Sequence, residues 1–217
     1  MKQKTLFIVA AVVLVLVFLI GSQTYNRKKA EESAKSIQSN QAYLVRMHSP
    51  VLGKDNAPVV IVEFLDPACE TCSEFYPHVK QMLSANPDKI KLVLRYAPFH
   101  HGSDKVVAAL EAARKQGKFW PALEALLKTQ HEWAANHTAN VDLIWSHLEG
   151  LGLNFQKMRL DMLSPEIISI IEQDLSDARA LNVTMTPEYF VNGKPLPSFG
   201  YQQLVDLVDE AIASAGH

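Results

Sequence analysis

The chain has 217 residues, 48% hydrophobic and 20% charged, with a net charge of −2 at pH 7 and two cysteines. This is the balance of a globular protein with enough apolar residues for a real core, which excludes a disordered chain. Near-neutral charge and the lack of a basic stripe in the body give no electrostatic footprint for nucleic acid.

Residues 6–20 form an unbroken apolar run between Lys2 and Lys4 on one side and Arg27-Lys28-Lys29 on the other. A removable signal core spans roughly 7–15 residues and ends at a small-x-small site, whereas a membrane-spanning helix needs about 20 residues. Thr5 and Gly21-Ser22 extend the run into spanning range, and no convincing cleavage pair follows. Residues 1–21 are thus expected to be a signal-anchor or signal peptide, the uncleaved anchor being favoured. The body is expected on the extracytoplasmic side of a bacterial cell membrane, in the periplasm where there is one. Residues 22–49 are polar, and Ala30, Ala34, Ile37, Gln41 and Leu44 make only a weak helical seam. A solvated stalk or linker is favoured over an oligomerising helix.

The body, 50–217, opens with turn formers and enters VVIVEFL at residues 59–65, apolar on both faces as in a buried central strand. IKLVLRY, residues 90–96, repeats that character. Between them Phe75, Val79, Met82 and Leu83 share one helical face, which predicts a βαβ unit with parallel strands. From residue 103 to about 182 the pattern is helical, with about four helices separated at glycines such as Gly117, Gly150 and Gly152. Asn192-Gly193 then predicts a hairpin, and YQQLVDLVDEAIAS a final amphipathic helix. The fold class is α/β, in the order βαβ, helical insert, ββα.

Both cysteines lie in FLDPACETCSEFYP, as Cys69-Glu70-Thr71-Cys72. A structural zinc site usually takes four ligands, and no third cysteine exists, so His78, His100 and His101 would have to serve. A staple gains most from closing a long loop, and this loop is among the shortest available. A redox pair at a strand-to-helix junction is favoured over both. At the helix start the dipole stabilises a Cys69 thiolate by ~1 kcal/mol, exposing it as nucleophile, with Cys72 one turn on to resolve the mixed disulfide. Glu70 opposes that stabilisation, so the thiol is expected to be less acidic than in strongly oxidising proteins of this kind.

From about Leu52 onward the chain resembles the DsbA-like branch of the thioredoxin superfamily, envelope thiol:disulfide oxidoreductases. The segments that carry the resemblance are VVIVEFLDPACETC, RYAPFHHGS, ALEAARKQGKFWPAL and TPEYFVNG, in that order. It implies a thioredoxin fold with an inserted helical domain, and no cofactor or metal. It implies protein substrates with cysteines and a redox partner that resets the dithiol. It also implies a cis-proline at Thr186-Pro187 facing the cysteines as a substrate clamp. Glu63 matches the buried acid beneath the active site, a proton relay for Cys72; from the residues alone a glutamate reaching water at a strand margin is slightly the better reading. Pro77 fits a kink in the active-site helix.

Glu70-Thr71 departs from the proline and histidine common between the cysteines of such proteins, and Glu188 after the proline is unusual; both are candidates for tuning potential and selectivity. His100-His101 are expected as ordinary surface residues, and Trp120, Trp133 and Trp145 as core. A binding or assembly module with regulatory cysteines, or a metal-handling protein, are the competing functions.

Overall fold

A computed structural model describes residues 40–216, together with isolated positions between Leu14 and Lys35. The chain divides into two units, Met1–Ser39 and Asn40–His217. In the first, the described positions are helical, and the Thr24 hydroxyl donates to the Gly21 carbonyl at 2.9 Å. The expected anchor lies almost wholly outside the described residues; among those described, no helix is long and apolar enough to cross a membrane.

The second unit is built on a five-stranded sheet. After a helical stretch at 40–44 come β1 (Val51–Gly53), β2 (Val59–Leu65), α1 (Glu70–Ala85) and β3 (Ile90–Tyr96). The helical insert carries α2 (Ser103–Arg114), α3 (Phe119–Lys128), α4 (Gln130–Trp133), the strands β4 (Ala134–Ala135) and β5 (Thr138–Ala139), α5 (Ile144–His147), α6 (Phe155–Asp161) and α7 (Pro165–Ala180). β6 (Glu188–Val191), β7 (Lys194–Pro195) and α8 (Tyr201–Ala215) complete the chain. The strand order is β1-β3-β2-β6-β7, with β2 and β3 parallel and the other neighbours antiparallel.

β2 alternates between two cores. Val59, Ile61 and Leu65 face a large cluster shared with α1, the helical insert and α8, while Val62 and Phe64 face a smaller one with Leu44, Val93, Ala178, Val183 and Phe190. Each Val, Ile, Leu or Phe so buried contributes about 1.5–3 kcal/mol, which pins the register. Local chemistry agrees with the boundaries. Ser164 caps α7 by accepting from the Ile167 amide, and Pro165 follows at the first helical position. Asn192 and Gly193 both take positive φ, as a two-residue hairpin between β6 and β7 demands.

Four features differ from the sequence expectation. The insert has six helices, not four, because α4 and α5 span four residues each, too few to show a period. β4 and β5 form a hairpin whose turn residues Asn136 and His137 both have positive φ, without the glycine that usually signals one. β1 pairs with β3 inside a segment that reads as turn formers. Residues 40–49, expected as stalk, belong to the body: Leu44 is buried, and Arg46 makes a two-pronged ion pair with Asp177 at 2.8 and 2.6 Å.

That pair belongs to a charge network on the smaller-core face. Arg95, fully buried on β3, donates to Asp174 at 2.7 Å and Asp177 at 2.6 Å, both on α7, and to the Tyr43 carbonyl. Asp174 also accepts from the Tyr96 amide at 2.8 Å and contacts His48 at 2.6 Å. Removing one partner of a buried pair strands the other charge away from water. Asp174→Ala is expected to destabilise the protein by about 3 kcal/mol, read as a lower urea midpoint with the m-value unchanged.

Candidate functional site

β2 ends at Leu65, and the tight loop Asp66-Pro67-Ala68 hands the chain to Cys69, the N-cap of α1. Asp66 is fully buried and takes five donors: the amides of Ala68, Phe99 and His100 at 2.8 Å each, the His100 Nδ1 at 2.6 Å and the Ser103 hydroxyl. One carboxylate thereby fixes the loop before Cys69 to the loop after β3. From the other side the buried Gln130 on α4 donates through Nε2 to the carbonyls of Pro67 at 2.7 Å and Cys69 at 2.9 Å. The backbone around Cys69 is held from two directions.

Neither Asp66 nor Gln130 was a candidate from sequence. Asp66 stands in the quoted motif and could have been noticed as an acid between two buried strands; Gln130 leaves no local signal. His100 is not the ordinary surface residue expected. Its Nδ1 lies against Asp66, its Nε2 is 3.1 Å from Nδ1 of His137, and the two rings stack. Gly102, at φ 77, lets this loop approach β5 so closely that a Cβ there would sit 2.8 Å from the Ala139 carbonyl. Trp133 and Trp145 are buried, and Trp120 packs on the core from its edge.

The structure brings the two cysteines, Glu63, Thr186 and Pro187 together. The Thr186–Pro187 peptide is cis, and the Cys69 thiol donates to the Thr186 carbonyl at 3.2 Å. Cys69 keeps only 7% exposure, less than the open nucleophile expected, because the Thr186 loop lies over it; Cys72 has none. Thr71 is half-buried and Glu70 exposed, so solvent screens the Glu70 charge.

The two thiols are driven apart in acidity. Hydrogen bonding from the Cys72 thiol, then from the Thr186 side chain and the amides of Cys72 and Thr71, outweighs burial and brings Cys69 down to about 5. The Cys72 contact exceeds what the helix start alone supplies. Cys72 is pushed well up, first by burial, then by the Cys69 thiolate and the charge of Glu63. Glu63 is no margin residue: it is fully buried, and desolvation raises it to about 8 against the hydrogen bond from Tyr189. Half-buried Glu188 is also raised by burial. The site therefore holds a thiolate, a thiol and a carboxyl able to exchange a proton near neutrality. Among the described residues no group of three or more His, Cys, Asp or Glu is arranged to hold a metal.

Two predictions follow the charges. Alkylation of Cys69 by iodoacetamide should persist down to about pH 5 and, in Cys72→Ala, retreat toward the ordinary thiol value of 9.0. Unfolding lets Glu63 ionise from 4.5 upward while the folded carboxyl keeps its proton to about 8. Its contribution to stability thus falls as pH rises through that window. Glu63→Gln, which cannot ionise, should gain stability relative to the parent across the same window in urea unfolding at stepped pH.

A thioredoxin family profile matches residues 46–210. A thioredoxin-like oxidoreductase from Silicibacter pomeroyi DSS-3 superposes with a TM-score of 0.69 at 31% identity, covering 79% of this chain and 96% of that one. Disulfide bond formation protein D of Bacillus subtilis (strain 168) is 27% identical over 75% of this chain and 77% of its own. The Na+/H+ antiporter NhaA of Herminiimonas arsenicoxydans is 30% identical over 67% of this chain, which spans only 22% of the antiporter's length. The match over most of the body, on a sheet that carries Cys69-x-x-Cys72 opposite a cis-proline, establishes that the chain belongs to the thioredoxin family.

Proposed function

We propose that this chain is a DsbA-like thiol:disulfide oxidoreductase that acts through a Cys69–Cys72 couple on cysteines of envelope proteins. The observation that carries it is the split between a stabilised thiolate at Cys69 and a buried thiol at Cys72, one helical turn apart beside Thr186-Pro187. Oxidised, the pair accepts attack by a substrate thiolate on Cys69. The substrate becomes disulfide-linked to Cys69, Cys72 leaves as a thiolate and is protonated, and a second substrate thiolate displaces Cys69. The substrate ends as a disulfide and the enzyme as a dithiol. In the reverse direction the Cys69 thiolate opens a substrate disulfide, and Cys72, its proton passed to Glu63, closes the enzyme disulfide.

A stabilised Cys69 thiolate favours the reduced enzyme, so the oxidised pair is a disulfide donor. Glu70 and Thr71, between the cysteines, and Glu188, after the proline, are assigned to tuning this balance. Thr186 and Pro187 are assigned to docking the substrate backbone. A separate redox partner returns the dithiol to the disulfide. Tethering of the body to the outer side of the cell membrane by the apolar run at 6–20 is part of the proposal and is supported by the sequence.

Cys69→Ser and Cys72→Ser, expressed in the full chain, test it. With reduced unfolded proteins as substrate, both variants should lose turnover, and with disulfide-containing proteins only Cys72→Ser, whose Cys69 thiolate opens the substrate disulfide, should accumulate mixed disulfides on non-reducing gels. Undiminished cellular function of both variants would instead point to a binding module.

A further inference from the structure

β2 and β6 run antiparallel with Glu63 directly opposite Tyr189, so the two side chains leave the same face of the sheet. The Tyr189 hydroxyl donates to Oε1 of Glu63 at 3.1 Å, and both residues are fully buried. Oε2 of the same carboxyl is buried and accepts no hydrogen bond from the described residues. The tyrosine ring packs on Phe75 of α1, centroids 6.3 Å apart, three residues beyond Cys72. A phenylalanine would fill the same apolar volume. The hydroxyl is therefore not required for packing, and it is spent on the Glu63 carboxyl.

The groups that feel the Glu63 charge are Cys69, Cys72 and Tyr76 from α1 and Tyr189 from β6. On β3 the residue opposite is Leu94, and Arg95 beside it leaves from the other face, bound to Asp174 and Asp177. The acidic residues of α8, Asp206, Asp209 and Glu210, are exposed.

We propose that Tyr189 is a positioning residue for the resolving step: it occupies Oε1 of Glu63, so that Oε2 is the atom that takes the Cys72 proton. The assignment rests on the oxidoreductase function proposed above and refines it. In the step, the Cys72 S–H bond breaks and its proton goes to Oε2. The resulting thiolate attacks the Cys69 sulfur of the mixed disulfide, and the electron pair of the broken S–S bond leaves with the substrate sulfur. The enzyme pair is oxidised and the substrate disulfide reduced. A phenol donor favours carboxylate over carboxylic acid, so the same hydrogen bond extends the step to lower pH.

The test is a quenched single turnover of the reduced full chain with a disulfide-containing peptide, from acid to alkaline pH, in wild type, Tyr189→Phe and Glu63→Gln. Formation and decay of the mixed disulfide are followed separately by mass spectrometry. Tyr189→Phe should leave formation unchanged and move the pH midpoint of decay upward by roughly one unit, a roughly tenfold slower decay on the acid side. Infrared titration of the Glu63 carboxyl stretch, which needs no turnover, should move in the same direction. Coincident midpoints for wild type and Tyr189→Phe, with Glu63→Gln slowed, overturn the role of Tyr189 alone. A Glu63→Gln decay profile identical to wild type removes the carboxyl from the step, and Tyr189 with it, while leaving exchange through the cysteines intact. A wild type that forms no mixed disulfide either as reduced chain with the peptide disulfide or as oxidised chain with the reduced peptide overturns the oxidoreductase function and this assignment together.

Discussion

Everything reactive in this molecule depends on the register of β2 between β3 and β6. That register sets Glu63 opposite Leu94 on one side and Tyr189 on the other, and it is held by the apolar residues at alternate positions, which bury on opposite faces. A slip of one residue would turn the carboxyl toward the smaller core and bring Phe64 beneath the cysteines. Strand pairing is thus the source of the site's electrostatics as well as of the fold.

The strand end then has to deliver Cys69 to the mouth of α1 without slack. Asp66 and Gln130 do this with charge-assisted and neutral hydrogen bonds to loop backbone, from two separate parts of the chain. The helical insert therefore helps to position the site: α4 is short, yet its first residue holds the carbonyl of Cys69. Low polarity around the sulfurs does the rest, since hydrogen bonds to a partly buried thiolate count for more than they would in water.

The central strands, the βαβ order, the hairpin at Asn192-Gly193 and the last helix were legible because each is long or carries a strong local signature. β4, β5, α4 and α5 were not, since two- or four-residue elements have no period and are stabilised by what they pack on. At the site, Cys69 and Cys72 were legible from spacing and Thr186-Pro187 and Glu63 through the family resemblance. Gln130, Asp66 and the Asp66–His100–His137 contacts were not, because they depend on residues that only the tertiary fold makes neighbours. The shallow exposure of Cys69 was missed for the same reason: the loop that covers it lies 117 positions along the chain.

The ion pair of Arg46 with Asp177 and the contact of His48 with Asp174 carry a practical consequence for where the body begins. Excising it at the first strand would discard Leu44 from the smaller core and leave Asp177 without one of its two guanidinium partners. A fragment that keeps these contacts therefore starts before Tyr43, and a protease cut between there and the sheet would loosen α7 from afar.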